Sequence, residues 1–386
     1  MSTQKRLSVN KSYKITHLGK YYPPHMGGIE IHLRDLVRYQ AQSCSVEVIV
    51  ANDDVRTARE RIDGAELIRL GCLGSIKSMP VCPALPWFVN RSEADLIHMH
   101  MPNPAAAFAY IVSRCRIPLV ITHHSDTVGR ATIRRLSDPF VQEAMRRASR
   151  IIVTSRCYAD TSSELKLHRD KVDVVPYGIN PSRFSNVESE TVRSIRSRYG
   201  PRIVVAVGRL VPFKGFDVLI RAMQKVRGNL LVVGDGPQRR YLEEIASDCR
   251  ESGRVFFTGT VDNSQIADYL SAADVFVIPS VSRAESFGIV QLEAMASGLP
   301  VINTDIDSGV REVSIDGQTG ITVAPGDASA MSEAIRLLLD RPDLRQQFGK
   351  AAKARVKAEY SAELMCMRTM NVYDEAMKAS VSSHTP

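Results

Sequence analysis

Residues 282–301 read Ser-Arg-Ala-Glu-Ser-Phe-Gly-Ile-Val-Gln-Leu-Glu-Ala-Met-Ala-Ser-Gly-Leu-Pro-Val. A turn with Ser286, Phe287 and Gly288 feeds an apolar helix start at Ile289. The first backbone N–H groups of a helix lack intrahelical partners and attract anions. Glu285 stands just before those amides and Glu293 stands two turns inside. An anion cradle flanked by acids that accept hydrogen bonds from hydroxyls suits a molecule carrying both phosphate and sugar.

Outward from this stretch, short apolar runs alternate with amphipathic ones. In the first half, strands are expected at 14–18, 46–51, 66–70, 96–100, 119–122, 150–154 and 172–175. Helices are expected at 29–39, 105–113, 132–147 and 158–167. Such alternation predicts a parallel sheet with helices on both faces. The turn cluster Pro176-Tyr177-Gly178-Ile179-Asn180-Pro181 and a polar segment to Gly200-Pro201 then break the pattern. A second series of strands follows at 202–207, 230–233, 255–258, 275–278, 301–304 and 321–323. The tail is helical over 328–339, 344–357 and 362–379, with a frayed end from Ser380 to Pro386. The fold class is therefore α/β, with two doubly wound domains at 1–178 and 200–360 and a C-terminal segment at 361–386. A chain of 386 residues is long for one core and comfortable for two.

Seven cysteines are scattered without a C-x-x-C pair, which argues against a zinc site or a disulfide framework and for a reducing compartment. No apolar run is long enough for a spanning helix, and the first residues lack a signal-peptide core. The net charge of +8 lies wholly in the first half: residues 1–180 hold 25 basic against 17 acidic side chains, and the remainder holds 25 of each. A basic half fits an anionic lipid surface or a phosphate-bearing partner, although solvated helix faces would give the same count. With one Trp, no finger spacing and no RNP-like string, no nucleic-acid partner is expected. The expected location is cytoplasmic, peripheral on the inner face of the cell membrane.

Open α/β sheets bind ligands beyond the carboxyl ends of their strands. After the first strand come Tyr21, Tyr22 and His25, then Gly27-Gly28-Ile29-Glu30. The glycine pair lets the backbone approach a ligand at a helix start, or simply makes a turn. The strand at 119–122 runs into His123-His124-Ser125-Asp126. A strand-end His can meet a substrate hydroxyl, and Asp126 two residues on can orient or charge His124. His98 and His100 end another strand, and His98 reads as structural. In the second half, Gly208-Arg209 with Lys214 offers a planar donor fork and a second cation able to clamp a diphosphate. Gly234-Asp235-Gly236-Pro237 is a tight turn with Pro at a helix start, and the backbone of Thr258-Gly259-Thr260-Val261 is placed to read a nucleobase edge.

In this order, these segments and the Glu285-x7-Glu293 stretch resemble the retaining glycosyltransferases of the GT-B fold, family GT4, from about residue 15 to about residue 355. The resemblance implies two Rossmann-like domains facing across a cleft. The C-terminal one would hold a nucleotide-diphosphate sugar and the N-terminal one an acceptor, with the last helix crossing back to the first domain. It implies that Arg209 and Lys214 bind the diphosphate, Glu293 the ribose and Glu285 the donor sugar's hydroxyls. The amides of Phe287, Gly288 and Ile289 would hold sugar and phosphate. Gly28 would lie at the β-phosphate, Gly27 and Val261 in the donor site, and His124 by the reacting sugar. His124, Glu285, Arg209 and Lys214 form the implied catalytic set. Tyr22, His25, His100, His123 and Asp126 are candidates for the acceptor side, with the Thr-x-His spacing favouring His124 over His123.

The implied reaction moves a hexose to a hydroxyl of a lipid-linked or polysaccharide-precursor acceptor with retention of configuration. GDP-mannose is the first-choice donor and UDP-sugars the second. Cations and amides stabilise the leaving diphosphate, which itself acts as base, so no metal or other cofactor is expected. Two other classes share the fold. UDP-sugar 2-epimerases need further acids and a His placed for elimination, and they lack this form of the 285–293 segment. A non-catalytic nucleotide-sugar-binding subunit would be marked by loss of Arg209, Lys214 or one Glu, and all are present.

Overall fold

A computed structural model describes residues 13–25, 27–76, 79–126, 131–184, 190–248 and 254–382. The end of the expected frayed tail and residues 185–189 of the polar segment lie outside the described residues. The chain forms two compact units. The first comprises Met1–Thr154, Ser162–Pro176 and Ala362–Pro386; the second comprises Ser155–Thr161 and Tyr177–Ser361.

The first unit is built on β1 (Lys14–Leu18), β2 (Ser45–Ala51), β3 (Ala58–Ile62) and β4 (Ala65–Leu70), with a separate small hairpin of β5 (Ser75–Ile76) and β6 (Met79–Pro80). The sheet continues with β7 (Leu96–Met101), β8 (Leu119–His123), β9 (Arg150–Val153) and β10 (Val172–Val174). Its order is β10-β9-β8-β7-β1-β2-β4-β3, parallel except for β3 at the edge. The order reverses between β1 and β7, the place where doubly wound sheets open a ligand crevice. Helices α1 (Gly28–Gln40), α2 (Leu85–Asn90), α3 (Pro104–Val112) and α4 (Ala131–Arg147) connect the strands. Ile15, Leu36, Leu96, Val120, Met365, Val372 and Tyr373 share one core cluster, so the C-terminal helix is part of this unit.

Two sequence expectations need correction here. The strand β3 and the hairpin were not anticipated, because Ala58-Arg59-Glu60-Arg61-Ile62 is an almost wholly exposed, charged edge with no apolar alternation. Charges of this kind protect an edge from pairing further. The helix expected at 158–167 runs only from Arg156 to Thr161, as α5. It stops where the chain passes from the second unit to the first, and Ser162 there donates to the carboxylate of Asp126.

The second unit opens with α6 (Glu190–Tyr199) and has strands β11 (Ile203–Val207), β12 (Asn229–Val233), β13 (Val255–Gly259), β14 (Val275–Val277), β15 (Val301–Thr304) and β16 (Gly320–Val323). Their order is β13-β12-β11-β14-β15-β16, all parallel. β11 is Ile-Val-Val-Ala-Val with four residues fully buried, the near-continuous apolar run of a strand covered on both faces. Helices α7 (Phe216–Met223), α8 (Arg239–Asp248), α9 (Ile266–Ala272), α10 (Ile289–Ala296), α11 (Val310–Val313), α12 (Ala328–Asp340) and α13 (Pro342–Glu359) follow, and α14 (Ala362–Ser382) returns to the first unit. Pro237 lies in the turn ahead of α8 rather than at its start. The switch in strand order falls between β11 and β14. No helix among the described residues is long and apolar enough to cross a membrane.

Candidate active site

In the second unit, the switch point collects most of the residues singled out in the sequence. All strands are parallel, so the loops after β11 and β14 leave the same edge of adjacent strands. After β11 come Gly208 and the exposed Arg209, then a single 3₁₀ turn at Pro212–Lys214. After β14 come Pro279, Ser280 and the segment carrying Glu285. The two loops are joined by an ion pair between Lys214 Nζ and Glu285 Oε2, both side chains mostly shielded from solvent. Ser280 Oγ donates to the same Glu285 oxygen at 3.3 Å, and Thr304 Oγ1 donates to the Ser280 carbonyl at 2.5 Å. The carboxylate is thereby held from the ends of β11, β14 and β15. Ser280 and Thr304 were missed in the sequence; their only signal is a polar residue at the end of an apolar strand.

The close join of these loops depends on one glycine. Gly215 has φ +66°, and a Cβ there would lie 2.1 Å from the Pro279 carbonyl oxygen. Gly215→Ala should therefore push the β11 loop off the β14 loop and destabilise the second unit by about 2–3 kcal/mol. A urea midpoint unchanged from wild type would contradict this packing.

The helix N-terminus beside the pair is shaped as the sequence requires. Gly288 caps α10 with φ +72°, and a Cβ there would meet Ile278 Cδ1 at 2.6 Å. Gln291 Nε2 donates to the Phe287 carbonyl at 2.7 Å, and Gly309 N donates to the Ser286 carbonyl at 2.8 Å. These bonds fix the turn from behind, with its carbonyls engaged. The Phe287 side chain is core, its ring 5.0 Å from Tyr177 and 6.3 Å from Tyr360, so Phe287 contributes only its backbone to this turn. Glu293 is buried on α10 at 6% exposure and Glu285 ahead of it at 8%. Val261, beyond β13, is half-buried against the same core.

In the first unit, the switch between β1 and β7 is filled with imidazole. His17 on β1 is in register with His98 on β7, and His100 lies two residues further along the same face. His17 Nδ1 is 3.0 Å from His100 Nε2, and His100 Nδ1 is 3.1 Å from His124 Nε2. His32 of α1 sits against His100 and His124, with ring centroids 5.8 and 5.1 Å away. Burial lowers the pKa of all five: to about 4 for His17, to about 3 for His32, and well below the ordinary value for His98, His100 and His124. The rings are therefore neutral. Nitrogens of His17, His98 and His100, and of His32, His100 and His124, come within 4.8 Å of one another, a spacing that would suit a cation. Both nitrogens of His17, His98 and His100 are, however, engaged in hydrogen bonds.

The two neighbouring histidines separate by strand alternation. His123 turns away to Glu164, 3.0 Å from Nε2, and His124 joins the cluster. Asp126 corrects an expectation: its carboxylate groups with His123 and Glu164, not as the orienter of His124. Tyr22 is corrected as well. It is wholly buried in the core beside β2 and β4, its hydroxyl donating to Asp63 at 3.1 Å, and so belongs to the packing. His25 lies 2.9 Å from Asp53 and stacks on Tyr21 at 4.4 Å. Gly27 precedes α1 in extended conformation and Gly28 is its exposed first residue. His32 was missed; a polar residue inside an amphipathic helix gives no sign of what it faces.

The expectation of a metal-free site rests in part on the absence of an Asp-x-Asp string, and this is corrected: the chain has one, Asp305-Ile306-Asp307, of the type that can hold a cation. In the structure Asp305 and Asp307 pair with Arg311, at 2.9 and 3.5 Å.

Residues 188–355 match the family described as glycosyl transferases group 1, and residues 27–178 match a glycosyl transferase 4-like domain. D-rhamnosyltransferase WbpZ of Pseudomonas aeruginosa is 30% identical over 70% of this chain and 71% of its own. The chain belongs to the group 1 glycosyltransferases. A GDP-mannose-dependent monoacylated alpha-(1-6)-phosphatidylinositol monomannoside mannosyltransferase of Corynebacterium glutamicum is 29% identical over 91% of this chain and 95% of its own. The solved structure of sucrose-phosphate synthase from Thermosynechococcus elongatus superposes with a TM-score of 0.79 at 25% identity, covering 95% of this chain and all of that one. The fold is GT-B, with two Rossmann-like units, and the protein is a hexosyltransferase.

Proposed function

We propose that this glycosyltransferase moves mannose from GDP-mannose, with retention of configuration and without a metal, to a hydroxyl of a lipid-linked or polysaccharide-precursor acceptor. The Lys214–Glu285 pair at the switch of the second sheet, beside the α10 N-terminus, carries this reading. An ammonium and helix amides stand where a departing diphosphate needs positive charge, and two buried acids stand where sugar hydroxyls need acceptors. Glu285 receives hydrogen bonds from the hexose and holds Lys214, Glu293 takes the ribose, and Arg209 closes on the phosphates with its planar fork. The leaving phosphate takes the acceptor's proton. The preference for GDP-mannose draws on the mannosyltransferase similarity.

Peripheral membrane attachment belongs to the same proposal. The first unit carries an apolar groove of about 440 Å³ lined by Ile76, Met79, Pro80, Leu85, Phe108 and Phe140, with Trp87 half-exposed nearby. Together with the basic excess of the first half, it fits the acyl chains and anionic headgroups of a lipid acceptor.

A thermal-shift panel of nucleotide sugars tests the donor. GDP-mannose should raise the melting temperature and UDP-glucose should not, and Glu293→Ala should abolish the shift. Stabilisation by UDP-sugars alone would overturn the donor assignment, and an undiminished shift in Glu293→Ala would overturn the ribose contact.

A further inference from the structure

The imidazole cluster has a direction. A neutral imidazole carries one N–H and one lone pair, so a chain of them hydrogen-bonds end to end in only two ways. The group that terminates the chain chooses between them. Here it is Gln40, the last residue of α1. Its Nε2 lies 3.8 Å from Met370 Sδ and 3.2 Å from Tyr373 OH. A thioether sulfur can only accept, so the amide NH₂ faces Met370 and the amide oxygen faces His17 Nε2 at 2.8 Å.

Each proton then follows. His17 donates from Nε2 to Gln40, so its Nδ1 accepts from His100 Nε2. His100 in turn accepts at Nδ1 from His124 Nε2. His124 therefore carries its proton on Nε2 and its lone pair on Nδ1. The other branch agrees. Because Gln40 donates to the Tyr373 hydroxyl, that hydroxyl donates to His98 Nδ1 at 2.5 Å, and His98 donates from Nε2 to Thr122 Oγ1 at 2.6 Å. An amide turned through half a rotation would reverse every link in both branches.

We propose that Gln40 is a positioning residue that fixes His124 as the Nε2–H tautomer through His17 and His100. Its effect on turnover rests on the glycosyl-transfer reading of His124; the tautomer itself does not. Tyr373 and Met370 come from α14, so the C-terminal helix sets a proton position on the strand-end His of β8 from the far end of the sequence.

The test is a long-range proton–nitrogen correlation spectrum of the full chain labelled with ¹⁵N-histidine at neutral pH, His124 being assigned from the signals lost in His124→Asn. Wild type should show His124 protonated on Nε2. Gln40→Met, apolar and of similar length, should show both tautomers. Gln40→Glu, which keeps an acceptor oxygen against His17, should show the wild-type pattern. In transfer assays Gln40→Met should lower kcat about tenfold with the donor KM unchanged, and Gln40→Glu should recover most of it. A wild-type His124 protonated on Nδ1 overturns the proposal, and so does an equivalent of Zn²⁺ bound per chain on these nitrogens. A Gln40→Met chain with unaltered tautomer and kcat also overturns it. If Gln40→Met does not fold, the wild-type spectrum decides alone. The expected wild-type tautomer in a chain inactive on every nucleotide sugar would support the hydrogen-bond chain and overturn the transferase reading, so the two failures are distinguishable.

Discussion

Acidification should unfold the first unit between about pH 6.5 and 4.5, with uptake of several protons. Five imidazoles are buried neutral there, each with its pKa lowered by burial. Once unfolded, each binds a proton below its ordinary value of 6.5. The folded state refuses that proton down to about pH 4 at His17 and about pH 3 at His32. The unfolded chain thus holds more protons, and stability rises with pH. It is complete above the ordinary imidazole value and lost as pH falls toward the folded ones. Five such groups give a slope of up to about 7 kcal/mol per pH unit, against a typical total stability of about 5–15 kcal/mol. Burial raises the carboxyl pKa of Glu30 and Glu47, which act in the opposite sense and offset part of this slope. Calorimetric unfolding near pH 5.5, in buffers of different ionisation enthalpy, should show uptake of about three protons or more. An uptake below one would mean that the cluster is not buried neutral.

Lys214→Ala should lower kcat by about 10²-fold or more. On the proposed mechanism the Lys214 charge is needed most when the sugar–phosphate bond breaks and the diphosphate gains negative charge, so the loss should fall on turnover more than on donor binding. The truncation also leaves the shielded Glu285 carboxylate without its cation. That adds a folding cost, because a half-broken buried pair is worse than none. The double variant Lys214→Met with Glu285→Gln removes both charges. It should regain thermal stability while turnover stays low, which separates folding from catalysis. Lys214→Arg keeps the charge and should retain part of the activity. These assays run in EDTA. Wild-type turnover in Lys214→Ala would remove Lys214 from the mechanism.

Much of the site was legible because it obeys local rules. Gly215 and Gly288 occupy left-handed backbone that favours glycine, and Lys214 and Glu285 sit beside them in loops whose position follows from strand alternation. The same rule separated His124 from His123, since successive strand residues face opposite sides. Tyr22 misled because an aromatic residue in a glycine-rich loop has the same composition whether it lines a pocket or fills a core; Asp63, 41 residues on, decided which. Asp126 misled because closeness in sequence was read as closeness in space.

The sequence by itself determined the alternating elements, the two sheets and the glycine-capped helix start at Gly288, because these depend on periodicity, glycine and helix ends within a few residues of one another. Only the tertiary structure decided who meets whom: Lys214 with Glu285, Asp305 with Arg311, and Gln40 with Met370, Tyr373 and the histidines. Those meetings join residues up to 333 positions apart. A hydrogen bond or a proton position depends on ångström-scale geometry that no local pattern of residues encodes.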